Sequence, residues 1–160
     1  AHTKCKLLAE KAGYDNSENF MAWLSDAVHS PADDFLHTSD LPFVRPDGVR
    51  IADDWDDLIK NGPHDGIFVT EKGERLLDVY VWTGTTPSGN LLDPSTHCKA
   101  WTTLDPNAKS RIGQSGVDKI KLPAVWQQWH DNNHWTNYIN WPCESEANLY
   151  CFEQLSEAKP

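Results

Sequence analysis

Two cysteines stand eight positions apart near the end of this chain, in Pro142-Cys143-Glu144-Ser145-Glu146-Ala147-Asn148-Leu149-Tyr150-Cys151-Phe152-Glu153. The second lies in an apolar, strand-like run from Leu149 to Phe152. The other two, Cys5 and Cys98, lie far upstream. Four cysteines permit three pairings. No two form a C-x-x-C pair, which argues against a zinc ribbon or a thioredoxin-like redox site, and the wide spacings suit structural bridges better than metal ligation. The order suggests a nested pair of disulfides, and disulfides imply an oxidising compartment. The expected location is therefore secreted or cell surface. At 160 residues the chain has the size of one domain, 1–160, and is long enough to bury a core.

Charge narrows the partners. There are 14 Lys and Arg against 24 Asp and Glu, for a net charge of −10. Phosphate backbones are gripped by clustered basic side chains, and none cluster here, so no nucleic-acid partner is expected. No run of 18 apolar residues exists to insert in a membrane. Eight tryptophans are unusual for this length: Trp23, Trp55, Trp82, Trp101, Trp126, Trp129, Trp135 and Trp141. The first four lie in helix or strand patterns and read as core. The four from Trp126 to Trp141 are too dense to be all core, and at least two of Trp126, Trp129 and Trp135 are expected to be exposed. Aromatic faces stack on sugar rings and anchor protein interfaces.

Local patterns place the elements. Residues 3–12 form an amphipathic pattern with Cys5, Leu8, Ala9 and Ala12 on one face, and Gly13 sits where a C-terminal cap belongs. A second helix is predicted at about 18–26, with Phe20, Trp23 and Leu24 inward. Phe43-Val44 and Val49-Arg50-Ile51 flank the turn signal Pro46-Asp47-Gly48 and predict a hairpin. Asp53 can cap a short helix over 54–60. The cluster Asp53, Asp54, Asp56 and Asp57 resembles a calcium site, but acidic residues are favoured in a first helical turn anyway. Gly66 to Thr70, Leu76 to Trp82 and Cys98 to Thr103 read as strands, and 84–97 as a Gly/Pro loop. Regular signals fade from Leu104 to Asn140, and irregular segments of that length are usually functional.

These residues resemble the C-type-lectin-like fold, shared with endostatin. A cysteine in the first helix, one in a mid-chain strand, one just before the closing strand and one within it carry the resemblance, together with Val81-Trp82-Thr83-Gly84. The chain is most similar to a family of bacterial secreted domains of unassigned function. That likeness rests on Ala22-Trp23-Leu24-Ser25-Asp26, Ala52-Asp53-Asp54-Trp55-Asp56-Asp57-Leu58, Val81-Trp82-Thr83-Gly84-Thr85 and Leu149-Tyr150-Cys151-Phe152-Glu153-Gln154. The resemblance implies an α+β architecture, with two helices packed on a small twisted antiparallel sheet, a long irregular loop region and two disulfides. It implies the bridges Cys5–Cys151 and Cys98–Cys143. Members of that family open with a strand upstream of the first cysteine, which this sequence does not show.

The departures bear on function. Sugar-binding C-type lectins carry a Glu-Pro-Asn or Gln-Pro-Asp triplet, where this chain has Asp93-Pro94-Ser95, and a Trp-Asn-Asp triplet, where it has Tyr138-Ile139-Asn140. Calcium takes about six to eight oxygens. Asp93 and Asn140 supply two and Ile139 supplies none from its side chain, so a lectin-type calcium is not expected. In His130-Asp131-Asn132-Asn133-His134 two histidines stand four apart, a spacing that faces one metal on a helix. The zincin glutamate is missing, and the Asn pair favours a turn. With Asp131 and His97 these histidines make a weaker zinc candidate. No G-x-S-x-G elbow, phosphate loop or dinucleotide fingerprint occurs, and Gly113-Gln114-Ser115-Gly116 lacks the elbow spacing.

The sequence therefore predicts a non-enzymatic extracellular recognition module, acting as a monomer and without a cofactor. Its partner would be a glycan or an extracellular protein, gripped by Trp126, Trp129, Asp131, Asn132, Asn133, Trp135 and Asn137. Two rivals stand beside it. One is a secreted metal-dependent hydrolase using His130 and His134; the other is a structural or adhesive surface-protein module.

Overall fold

The computed structural model describes residues 1–95, 97–116 and 134–155. It is an α+β arrangement of short helices and small antiparallel sheets, stapled by two disulfides. Helix α1, His2–Ala12, ends as the sequence predicts: Gly13 takes φ 85° and donates its N–H back to the last turn. A side chain at such a φ is strained, so glycine is the natural stop. Cys5 and Ala9 form the buried stripe of α1, and Cys5 is bonded to Cys151.

The helix predicted at 18–26 does not form. Ser17–Asn19 makes one 3-10 turn, and the chain then runs as strand β1, Phe20–Ala22. β1 pairs antiparallel with β7, Cys151–Glu153, with Met21 opposite Phe152. A helix there would satisfy its backbone locally. The strand satisfies it against the closing segment and delivers Trp23, fully buried, to the centre of the core. The hairpin does form, as β2, Phe43–Val44, and β3, Arg50–Ala52. Before the hairpin comes α2, Pro31–Asp34, and after it α3, Trp55–Asn61. The cap of α3 is Asp54 rather than Asp53: its carboxylate accepts the Asp57 N–H at 2.8 Å. Of the strands predicted across 66–82, β4 is Tyr80–Trp82, while Val69 and Arg75 form an isolated bridge around the Gly73 turn.

Two further expectations are corrected. Cys98 to Thr103 is not a strand. Cys98–Trp101 is a single turn with φ from 49° to 62°, in the left-handed region. Non-glycine residues adopt that region at a cost of about 1–2 kcal/mol each. Tertiary anchors hold it: the Cys98–Cys143 disulfide, and the Trp101 indole N–H bonded to the Ser25 carbonyl at 3.0 Å. The 104–140 region is also not irregular throughout. Lys109–Gln114 is β5, the longest strand among the described residues and the centre of a sheet ordered β4-β5-β6, with β6 at Ile139–Pro142. Its fully buried residues, Ser110 and Ile112, include only one strong hydrophobe, so alternation was faint in the sequence.

One aromatic core joins these parts. Trp23 touches Phe35, Trp55, Trp135 and Phe152, with ring centroids 4.7 to 5.9 Å apart. Beside it lies a buried polar network. The Trp23 indole N–H donates to Thr136 Oγ1 at 2.7 Å, Thr136 donates to the Thr85 carbonyl, and Thr83 donates to the Thr136 carbonyl. Thr85 also bonds Ser25. Every hydroxyl in this set has a partner, so burying it incurs little desolvation cost. The network ties Thr136 to the segment that follows β4.

Candidate functional site

Residues that follow the network in sequence turn outward. Tyr138 sits between the ring of His134, 5.0 Å away, and that of Tyr80, 6.5 Å away. Tyr80 meets Trp141 edge-on at 4.8 Å. All four rings are half-buried, so each keeps part of a face in water. β4 supplies Tyr80, β6 supplies Trp141, and the network-anchored turn supplies His134 and Tyr138. Trp141 Nε1, Arg111 Nε and Asn137 Oδ1 are buried without a hydrogen-bond partner among the described residues. Asn140, opposite Arg111 in the sheet, is exposed. Aromatic faces with the unpartnered Trp141 indole N–H among them suit a ligand that has both a flat apolar side and a polar edge.

The predicted binding residues fall unevenly on this picture. Trp126, Trp129, His130, Asp131, Asn132 and Asn133 lie outside the described residues. Trp135 is 7 % exposed and packs on Trp23 and Tyr150, so its ring serves the core and not a ligand. Its neighbours in sequence are polar, which hid this role. Asn137 is half-buried and precedes Tyr138 in the sequence. Tyr80, Tyr138 and Trp141 were not singled out as a group, because they meet only through the sheet.

Metal candidates can be placed in part. Asp93 is exposed, and its carboxylate is taken up by its own turn, accepting Ser95 N and Ser95 Oγ at 2.7 Å. The Ser95 backbone bond holds that carboxyl below its usual range. His97 closes the left-handed turn by accepting the Ala100 N–H at 2.7 Å. In the aspartate cluster Asp54 is engaged as a cap. Asp57 accepts from Asn61 and from the Asp53 N–H, and lies 2.8 Å from His64 Nε2. The Asn61 amide, followed by the Asp53 N–H, holds the Asp57 carboxyl low. Ligand atoms of Asp53, Asp57 and His64 come within 4.8 Å of one another. His64 is the member the sequence reading missed, being seven positions past the helix turn it joins. These contacts are what capping and an ion pair give without a metal.

The structure also holds an apolar groove of about 570 Å³. Residues 147–153 run continuously along it, with Leu8 and Tyr14 from the α1 region and Phe43 and Ile67 from the hairpin region among its walls. No described helix is long and apolar enough to cross a membrane. The chain matches no family model, and no curated protein is similar to it.

Proposed function

We propose that this chain is a non-enzymatic extracellular recognition module of C-type-lectin-like fold, and that it binds a carbohydrate through the aromatic cluster of Tyr80, Tyr138 and Trp141. The observation that carries the reading is the cluster itself: three half-buried rings with centroids 4.8 and 6.5 Å apart, and a Trp141 indole N–H without a partner among the described residues. A sugar ring offers an apolar C–H face for the aromatics and a hydroxyl for that indole N–H. Two disulfides support an oxidising environment outside the cell. Trp126, Trp129 and Asn132, which precede His134 in the sequence, add residues of the same chemistry. Asp93 turned onto Ser95 supports binding without a lectin-type calcium.

A glycan array tests this. The wild-type domain is expected to bind a defined set of glycans, and Tyr138→Ala with Trp141→Ala is expected to weaken that binding at least tenfold. Chelator should leave it unchanged. Binding lost on chelation and restored by calcium would overturn the metal-free part. An array without a hit, together with capture of one surface protein, would favour the adhesive reading.

A further inference from the structure

We propose that the Cys98–Cys143 bridge is a redox switch: bonded, it holds residues 98–101 in a strained left-handed turn, and its reduction by an external thiol lets that turn relax while Cys5–Cys151 keeps the fold closed. The inference does not depend on sugar binding. It starts from the backbone. Cys98, Lys99, Ala100 and Trp101 take φ of 49°, 50°, 54° and 62°. Among the described residues, Asp78 is the one other non-glycine residue with a positive φ. A Cβ at such a φ crowds the following carbonyl, so side-chain-bearing residues visit this region singly and not in runs. Lys99, Ala100 and Trp101 have none of the freedom that glycine has there. Strained residues in succession persist only where surrounding contacts impose them.

The turn's own bonds do not choose its hand. Trp101 N–H donates to the His97 carbonyl and Thr102 N–H to the Cys98 carbonyl, a spacing that a right-handed turn satisfies equally. The left hand follows from attachment. Cys98 is bonded to Cys143, the Trp101 ring meets Trp82, and the Trp101 indole N–H donates to the Ser25 carbonyl at 3.0 Å. One ring contact and one hydrogen bond are together weaker than the summed strain of four residues. With the bridge open, the relaxed turn is the more stable one. The other bridge offers no such release: Cys5 lies in α1, Cys151 lies in β7 opposite Ala22, and neither has a positive φ.

Strain in the bonded form favours reduction, and strained bridges are the labile ones. Cys98 and Cys143 are 4 % and 5 % exposed, so attack follows opening of the turn. A thiolate of the reductant then bonds to one sulfur of the bridge, and the other leaves as a Cys thiolate. A second thiol resolves the mixed disulfide. The bridge gains two electrons and two protons, and the two reductant thiols depart as their own disulfide. Cys143 directly follows β6, which carries Trp141, so the state of the bridge reaches the strand that builds the aromatic cluster.

The test equilibrates the full folded chain in graded glutathione buffers, alkylates the free thiols after acid quenching and maps the four cysteines by peptide mass. Cys98 and Cys143 should be half reduced at a ratio of squared thiol to disulfide at least tenfold lower than Cys5 and Cys151 require. The double variant Lys99→Gly with Ala100→Gly, which adopts a positive φ without strain, should raise the Cys98–Cys143 midpoint at least tenfold. With only that bridge reduced, NMR should show the Trp101 indole N–H exchanging at least tenfold faster, while the Trp23 indole N–H, bonded to Thr136, is unchanged. If the glycine variant does not fold, the mapping and the wild-type exchange decide. A shared midpoint, earlier reduction of Cys5–Cys151, an unmoved midpoint in the folded glycine variant or an unchanged Trp101 indole would overturn the proposal. So would loss of protection at Trp23 as well, which would make the bridge a structural staple.

Discussion

A Cβ placed at Gly113 would overlap the Trp135 carbonyl and crowd Thr136. Neither neighbour can yield, because Trp135 packs on Trp23 and Thr136 is bonded to Trp23, Thr83 and Thr85. Gly113→Ala should therefore destabilise the fold by about 3 kcal/mol, the upper end for overpacking. Urea unfolding measures it, and a loss under about 0.5 kcal/mol would refute the tight contact. The same method separates the tryptophans. Trp23→Ala and Trp135→Ala should each cost about 3–5 kcal/mol, while Trp141→Ala should cost far less. Equal losses at Trp135 and Trp141 would defeat this division. From the sequence, Trp23 is legible as core because Leu24 and Ala22 flank it in an apolar patch. Trp135 is not, since His134, Thr136 and Asn137 surround it, and its burial is imposed by rings from distant elements.

At the scale of elements, signals contained within one segment survive into the structure. Gly13 ends α1, and the turn ending at Gly48 closes the β2–β3 hairpin. The start of α3 is legible to within one residue, because two adjacent aspartates can each cap. Only geometry separates them: Asp54 accepts the Asp57 N–H, whereas Asp53 pairs with Arg50 at the surface. Asp54→Ala should thus cost about 1 kcal/mol. Asp53→Ala should cost only a few tenths, the usual worth of an exposed pair. Thermal unfolding of the two variants would show the reverse order if Asp53 were the cap. Elements defined by distant partners are not legible. β1 follows from pairing with β7, and the Cys98–Trp101 turn from a disulfide and one indole bond. The candidate site shares this difficulty, since Tyr80 and Trp141 meet only when β4 and β6 flank β5.

Across the whole molecule the disulfides tie the ends together. Cys5–Cys151 spans 146 positions and Cys98–Cys143 spans 45. Chain entropy assigns them about 5 and about 4 kcal/mol of stabilisation. Replacing both cysteines of the first pair by Ser should lower stability more than replacing the second, as read from denaturant midpoints. Acid should act in two stages. Burial lowers the His2 pKa from 6.5, and its neutral Nδ1 accepts the Ala22 N–H at 3.1 Å. The unfolded chain then binds that proton more readily, so this contribution is complete above pH 6.5 and declines as pH falls through and below it. Asp47, held low by its bond from Arg45, and Asp57, held low by Asn61, contribute above pH 3.8 and are lost as pH falls below it. Urea midpoints from pH 7.5 downward should show a shallow decline and then a steeper one. The shallow stage should vanish in His2→Asn, and an NMR titration placing His2 at or above 6.5 would refute it. The amino-acid sequence by itself determined the first helix and its stop, the hairpin, the short acidic-capped helix and the presence of four bridgeable cysteines. Each of these depends on interactions within a few residues. Only the tertiary structure decided that residues 20–22 are a strand, that Lys109–Gln114 is a sheet's centre, that Trp135 is core, and that Tyr80, Tyr138 and Trp141 meet. Those outcomes depend on contacts between residues far apart in the chain, whose energies no local pattern contains.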